Sequence, residues 1–171
     1  MNRDGTRNQA TPVELSALLV ECVCVPGAGE QEAVGQLAEA LHVQPDTLAE
    51  ELLYLRAFAV DFAVLMSLGD APAKDHILSR YYEHWQRIDE EAEGARAALE
   101  ERLQGYAAVV GEVAPGGGLA RQLGIALAAR VSVDAGDAAV ELMVFGARLF
   151  AVLYDEVTSL LTEVDILLLD E

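Results

Sequence analysis

The chain has 171 residues, enough for one domain that buries about 70% of its unfolded surface. Apolar residues make up 53%, which argues against a disordered chain. Acids outnumber bases 29 to 11, a formal net charge of −18. Nucleic-acid binders must neutralise phosphates and peripheral membrane proteins must meet anionic lipid, so this balance opposes both classes. It favours a basic protein partner instead.

The first ten residues read as a flexible polar terminus. Thr11, Pro12 and Glu14 then give a helix start: a cap, a proline in the first turn and an acid three residues on. That first helix ends by Val25, before Pro26-Gly27. Its Cys22 and Cys24 point to different sides, which suits neither a disulfide nor a shared metal, and both read as small buried thiols. A second helix is expected over about Gly29 to Leu41, and a third from Pro45 to Leu68, stopped by Gly69. The apolar run inside the third, Leu52 to Leu68, holds Arg56 and Asp61 and is short for a bilayer span. With no secretory h-region near the start, a cytoplasmic location is expected.

Asp70 and Pro72 open a fourth helix, read as continuous to about Val113. Its seam, Ile77, Tyr81, Trp85, Ile88, Ala92, Ala95, Leu99, Leu103, Tyr106 and Val110, recurs every three or four residues. The mean period is about 3.67, that of a nearly straight rod about 50 Å long. Gly94 is the point where a kink would fall. A short fifth helix follows from about Leu119 to Val133, and a sixth fills the chain from Asp137 to about residue 168. No stretch alternates with period two between hairpin dipeptides, so no strand is expected. The fold class is therefore all-α, a single-domain bundle of about six helices (residues 1–171), including the long fourth and sixth.

The stretch Leu37-Ala38-Glu39-Ala40-Leu41-His42-Val43-Gln44-Pro45-Asp46-Thr47-Leu48 resembles the helix-turn-helix of bacterial regulator families. The resemblance covers about 16 residues and implies a reading helix opening near Asp46. That helix carries Asp46, Glu50 and Glu51, and no Lys or Arg occurs from Gly27 to Leu55. Base reading needs cationic donors, and His42 replaces the small turn residue of those families, so no nucleic-acid partner is expected.

The patterns for chemistry are sparse. His42, His76 and His84 are the only histidines. Asp75-His76 and Glu83-His84 repeat two turns apart, too far for one ion, so no metal or cofactor is expected. Gly116-Gly117-Gly118 lacks the Lys-Ser/Thr of a phosphate loop, and no serine sits in a nucleophile elbow. No catalytic residue is assigned.

Buried charge is the remaining clue. Arg56 projects from the apolar side of the third helix and needs an acid if buried. Arg148 lies in a narrow polar stripe with Glu141 and Asp155, from which it could pair along its own helix or across to Glu50 or Asp61. One reading makes these a register-fixing network. Another makes them a polar pocket between the third and sixth helices, with Tyr54, Arg56, Asp61, Tyr81, His84, Trp85 and Arg148 as ligand-binding candidates. The third and sixth helices carry apolar arcs wider than a surface helix needs. If their neighbours cannot cover both arcs, a second copy must. The expected function is a non-enzymatic protein-interaction module, an adaptor, accessory or chaperone-like subunit, acting as a homodimer. The alternative is a small-molecule- or metal-binding helical enzyme.

Overall fold

The computed structural model describes residues 8–27, 29–91, 94–113, 118–131 and 136–168, and the backbone alone for 88–91. The chain is all-helical, with seven helices among the described residues: α1 (Pro12–Cys24), α2 (Glu30–Leu41), α3 (Pro45–Leu68), α4 (Pro72–Glu91), α5 (Ala95–Glu112), α6 (Leu119–Arg130) and α7 (Asp137–Glu163). Two three-residue strands, β1 (Asn8–Ala10) and β2 (Val164–Ile166), pair in parallel, with Gln9 opposite Asp165.

Local chemistry sets the helix ends. At α1 the Thr11 N–H donates to Glu14 Oε2 at 2.8 Å, and the Glu14 N–H donates to Thr11 Oγ1 at 3.3 Å. This reciprocal pair satisfies two N–H groups that the first turn cannot. His42 closes α2 in the left-handed region at φ 56°, and Gly69 closes α3 at φ 52°.

The expected long fourth helix is two helices. α4 ends at Glu91, and α5 begins after Gly94, whose φ of 90° a right-handed helix cannot contain. The seam divides between the two cores within α5 rather than at the break: Ile77, Tyr81, Trp85 and Leu99 pack in one core cluster, and Tyr106 in the other. Ile88 and Ala92 lie outside the described side chains.

The strand pair is a second departure. Three residues are too few to show alternation, and their partner lies more than 150 residues away, so the pairing is a tertiary event. β1 takes up the last three residues of what reads as a flexible terminus; residues 1–7 lie outside the described residues. Cys24 is exposed and Cys22 half-buried, so they are not both the buried thiols expected. The expected end of the short helix also moves, to Arg130, and the last helix stops at Glu163.

α3 is the spine. Leu48, Leu52, Leu55, Phe58 and Ala59 enter one core with α2, α5, α6 and α7. Tyr54, Ala57, Val60, Ala63 and Val64 enter a second with α1, α4 and part of α7. A helix that is apolar all round belongs inside, and most of α3 is covered within one chain, with Leu65 and Met66 near its end left exposed. The part of the α3 arc from Leu48 to Val60 therefore has its cover inside the chain, whereas Leu65 and Met66 still meet water. α7 keeps Val140, Val144 and Val152 exposed.

α6 and α7 meet at Gly124 and Gly146. A Cβ on Gly124 would fall 2.1 Å from the Met143 carbonyl oxygen, and one on Gly146 would fall 3.5 Å from Gly124 Cα. The two backbones touch where side chains are missing.

Candidate functional site

The sequence candidates do not converge. Between α3 and α7, where one of the two readings put a polar pocket, the ring centroids of Phe58 and Phe62 lie 5.8–6.2 Å from those of Phe150 and Tyr154. These rings fill the interface with apolar contact. The charged candidates sit elsewhere, in three places.

The first is the carbonyl end of α1. No basic residue lies in the last turn of α1, so its terminal carbonyls need a donor from elsewhere. Arg56, 5% exposed, supplies it from α3. Nη1 donates to the Val23 carbonyl at 3.0 Å and Nη2 to the Val25 carbonyl at 2.7 Å. Glu30 of α2 lies 3.2 Å from Nη2 and neutralises the charge. Arg56 therefore locks α1, α2 and α3 together, through an acid that the sequence reading did not select. It also lines an open hollow of about 440 Å³ with Val34, Leu53, Asp46 and Glu50. A second lock, half-buried and also missed, joins α3 to α5: Arg102 reaches Glu51 at 2.6–3.0 Å from Nε and Nη2. The guanidinium lies 5.6 Å from the Tyr54 ring centroid. The Tyr54 hydroxyl donates to Glu50 Oε1 at 2.9 Å, and burial, then this bond, push its phenol up to about 12.

The second place is Asp61, where α3, α4 and α5 converge. Its Oδ1 accepts from the Tyr82 hydroxyl at 2.5 Å. Burial raises the Asp61 carboxyl above its ordinary range, and the Tyr82 bond opposes that rise. Among the described residues no base forms an ion pair with it. The two residues border a groove of about 370 Å³ walled by Phe58, Phe62, Leu65, Leu103, Ala107 and Val110. Tyr82, Leu103 and Gln104 also border a second hollow of about 310 Å³, which runs past Trp85, Leu99, Arg96 and Glu100. Of the expected site residues, Asp61 and Trp85 thus border adjoining hollows. Tyr81 is fully buried, its ring 6.4 Å from that of Trp85, and burial holds its phenol protonated. Its neighbour Tyr82, one residue round the helix, carries the contact to Asp61. The signal in the sequence was the Tyr81-Tyr82 pair: one ring must face the core seam and the other must leave it. His84 is half-buried beside this region, and His76 and His42 are exposed.

The third place is the outer face of α7. Arg148 is exposed there, and among the described residues it forms no ion pair with Glu141, Asp155, Glu50 or Asp61. With Glu141, Val140, Val144 and Phe145 it borders a groove of about 410 Å³ against Ala33, Gln36 and Leu37 of α2.

In the segment resembling a helix-turn-helix, α3 is buried from Glu51 to Val60 apart from the half-buried Leu53, and its exposed first turns carry Asp46 and Glu50. No group of three or more His, Cys, Asp or Glu is placed to hold a metal among the described residues. No described helix is long and apolar enough to cross a membrane.

No protein-family description, curated protein or solved structure matches this chain.

Proposed function

We propose that this chain is a protein-interaction module that pairs with a second copy of itself through the α2–α7 face. The observation that supports this is the exposed surface of α7. Val140 and Val144, 56% and 62% exposed, line the groove against α2, and Val152, 45% exposed, lies about two turns further along the same helix. Isolated exposed valines need no explanation, but a row along one helix beside an apolar groove does.

The charges on that face complement themselves. Glu141 and Arg148 are seven residues apart, which is two turns on one side of the helix, about 10.5 Å. They are too far apart to pair within one helix. In an antiparallel two-fold pair crossing at Val144 and Phe145, each Glu141 meets Arg148 of the partner subunit, and Val144 with its neighbour Val140 closes the centre. This accounts for the unpaired charges and the uncovered side chains together. The remaining acidic surface favours a basic client over nucleic acid. The free thiols Cys22 and Cys24 suit the reducing cytoplasm.

The test is the mass of the protein in solution, by light scattering across a concentration series. A two-chain mass is expected. Arg148→Glu and Glu141→Arg should each give monomer, and the two combined should restore the pair. Monomer for the wild type at high micromolar concentration, or no recovery in the double variant, refutes the proposal.

A further inference from the structure

We infer that the Asp61 groove binds a lipophilic organic cation, an ammonium carried on an apolar body, with Asp61 as its counter-charge. This site is separate from the α2–α7 face and does not depend on it.

The argument begins with a charge left incomplete. Asp61 extends from α3, the most enclosed helix, and is half-buried. Buried carboxylates are stable when paired with a base or held by several donors. Asp61 has one hydrogen bond, from the neutral Tyr82 hydroxyl, and no basic partner among the described residues. Tyr82 holds the carboxylate in place without neutralising it. A single positive charge entering the groove would complete the site.

The walls define the rest of the ligand. Phe58, Phe62, Leu65, Leu103, Ala107 and Val110 offer hydrocarbon, and Gln104 is the other polar side chain on the lining. Aromatic walls beside a carboxylate favour an ammonium twice, through the charge and through the ring faces. The volume of about 370 Å³ lies in the range of small-molecule sites. The shared border at Tyr82, Leu103 and Gln104 leads to the second hollow, so the apolar body can be elongated.

An anion finds no partner here. The base on the neighbouring hollow, Arg96, has its Nε 2.9 Å from Glu100 Oε1. The chain's net charge of −18 also concentrates cations at the surface and repels anions.

Three probes with one tail and different heads decide the matter: 4-phenylbutylamine, 4-phenylbutanol and 4-phenylbutyrate. Binding is read by calorimetry at neutral pH and by the fluorescence of Trp85, the chain's one tryptophan, which lines the adjoining hollow. The amine should bind about tenfold tighter than the alcohol, and the acid weakest. Asp61→Asn keeps an oxygen for the Tyr82 hydroxyl, so the fold should survive. It should lower amine affinity to that of the alcohol and leave the alcohol unchanged. Glu39→Gln, an exposed acid of α2 that lines neither hollow, should leave the amine preference intact. Leu103→Trp, which fills the groove with Asp61 still present, should remove binding of all three. Absence of amine binding to the wild type, equal affinity for amine and alcohol, or an amine preference that survives Asp61→Asn overturns the inference. The dimer proposal is read by mass alone, so either can fail while the other stands.

Discussion

Gly124→Ala gives the sharpest test of the packing. Helix propensity alone favours alanine over glycine by about 1 kcal/mol in a helix interior, and Gly124 lies inside α6. The tertiary contact reverses the sign. The new Cβ would stand 2.1 Å from the Met143 carbonyl oxygen, 3.0 Å from its carbon and 3.1 Å from the Ala147 nitrogen. All three are backbone atoms of α7, so no side-chain rotation relieves the clash. The helices must part by about 1 Å, which loosens Leu123, Leu127 and Leu142 in the same core. Overpacking of this kind costs about 1–3 kcal/mol, and more where backbone meets backbone. We expect net destabilisation of about 1–3 kcal/mol, a fall in Tm of about 3–10 °C for a chain this size. Gly35→Ala in α2 is the matched control, because its Cβ meets nothing within 4 Å. It should raise stability by about 0.5–1 kcal/mol. Urea unfolding of the two variants, with comparable m-values, reads both signs. If Gly124→Ala is as stabilising as Gly35→Ala, the close crossing of α6 and α7 is wrong.

Arg56→Ala strands Glu30 and the carbonyls of Val23 and Val25, and should cost about 3–5 kcal/mol. Arg56→Lys should recover little, since one ammonium cannot reproduce the guanidinium fork; an unchanged melting curve for the alanine variant would reject the lock. A double-mutant cycle on Glu51→Gln and Arg102→Met should show coupling of about 1.5–3 kcal/mol between α3 and α5, and additive effects would count against that bridge. Asp61 has its folded-state pKa raised above the ordinary 3.8, so the native state holds more protons than the unfolded chain just above that value. Its contribution to stability therefore falls as pH rises through the window from 3.8 to the raised value, and the cost persists at neutral pH. Asp61→Asn should thus raise Tm at pH 7, with the gain shrinking as pH falls towards 4; a loss of stability at pH 7 would contradict the uncompensated charge.

The sequence by itself determined the all-helical class and several of the helix ends. Thr11, Pro12 and Glu14 specify the start of α1, and Pro45 and Gly69 bracket α3, because caps and breakers act on their immediate neighbours. It also placed Arg56 on the apolar side of α3, in need of an acid if buried, since a guanidinium cannot shed its charge. Which acid it meets was not legible: Glu30 and the end of α1 reach it only after three helices have packed, and no spacing along the chain encodes that. The same holds for Tyr82 on Asp61 and for Glu51 on Arg102. Periodicity described a face continuous through Gly94, but a seam carries no information about where the chain turns back, and the turn lets Leu99 and Tyr106 pack onto α3. The tertiary structure also decided what covers the most apolar segment. Composition shows only that α3 must be hidden; its placement between two cores makes this chain's own helices the cover for most of it, while Leu65 and Met66 near its end and the outer side of α7 still meet water.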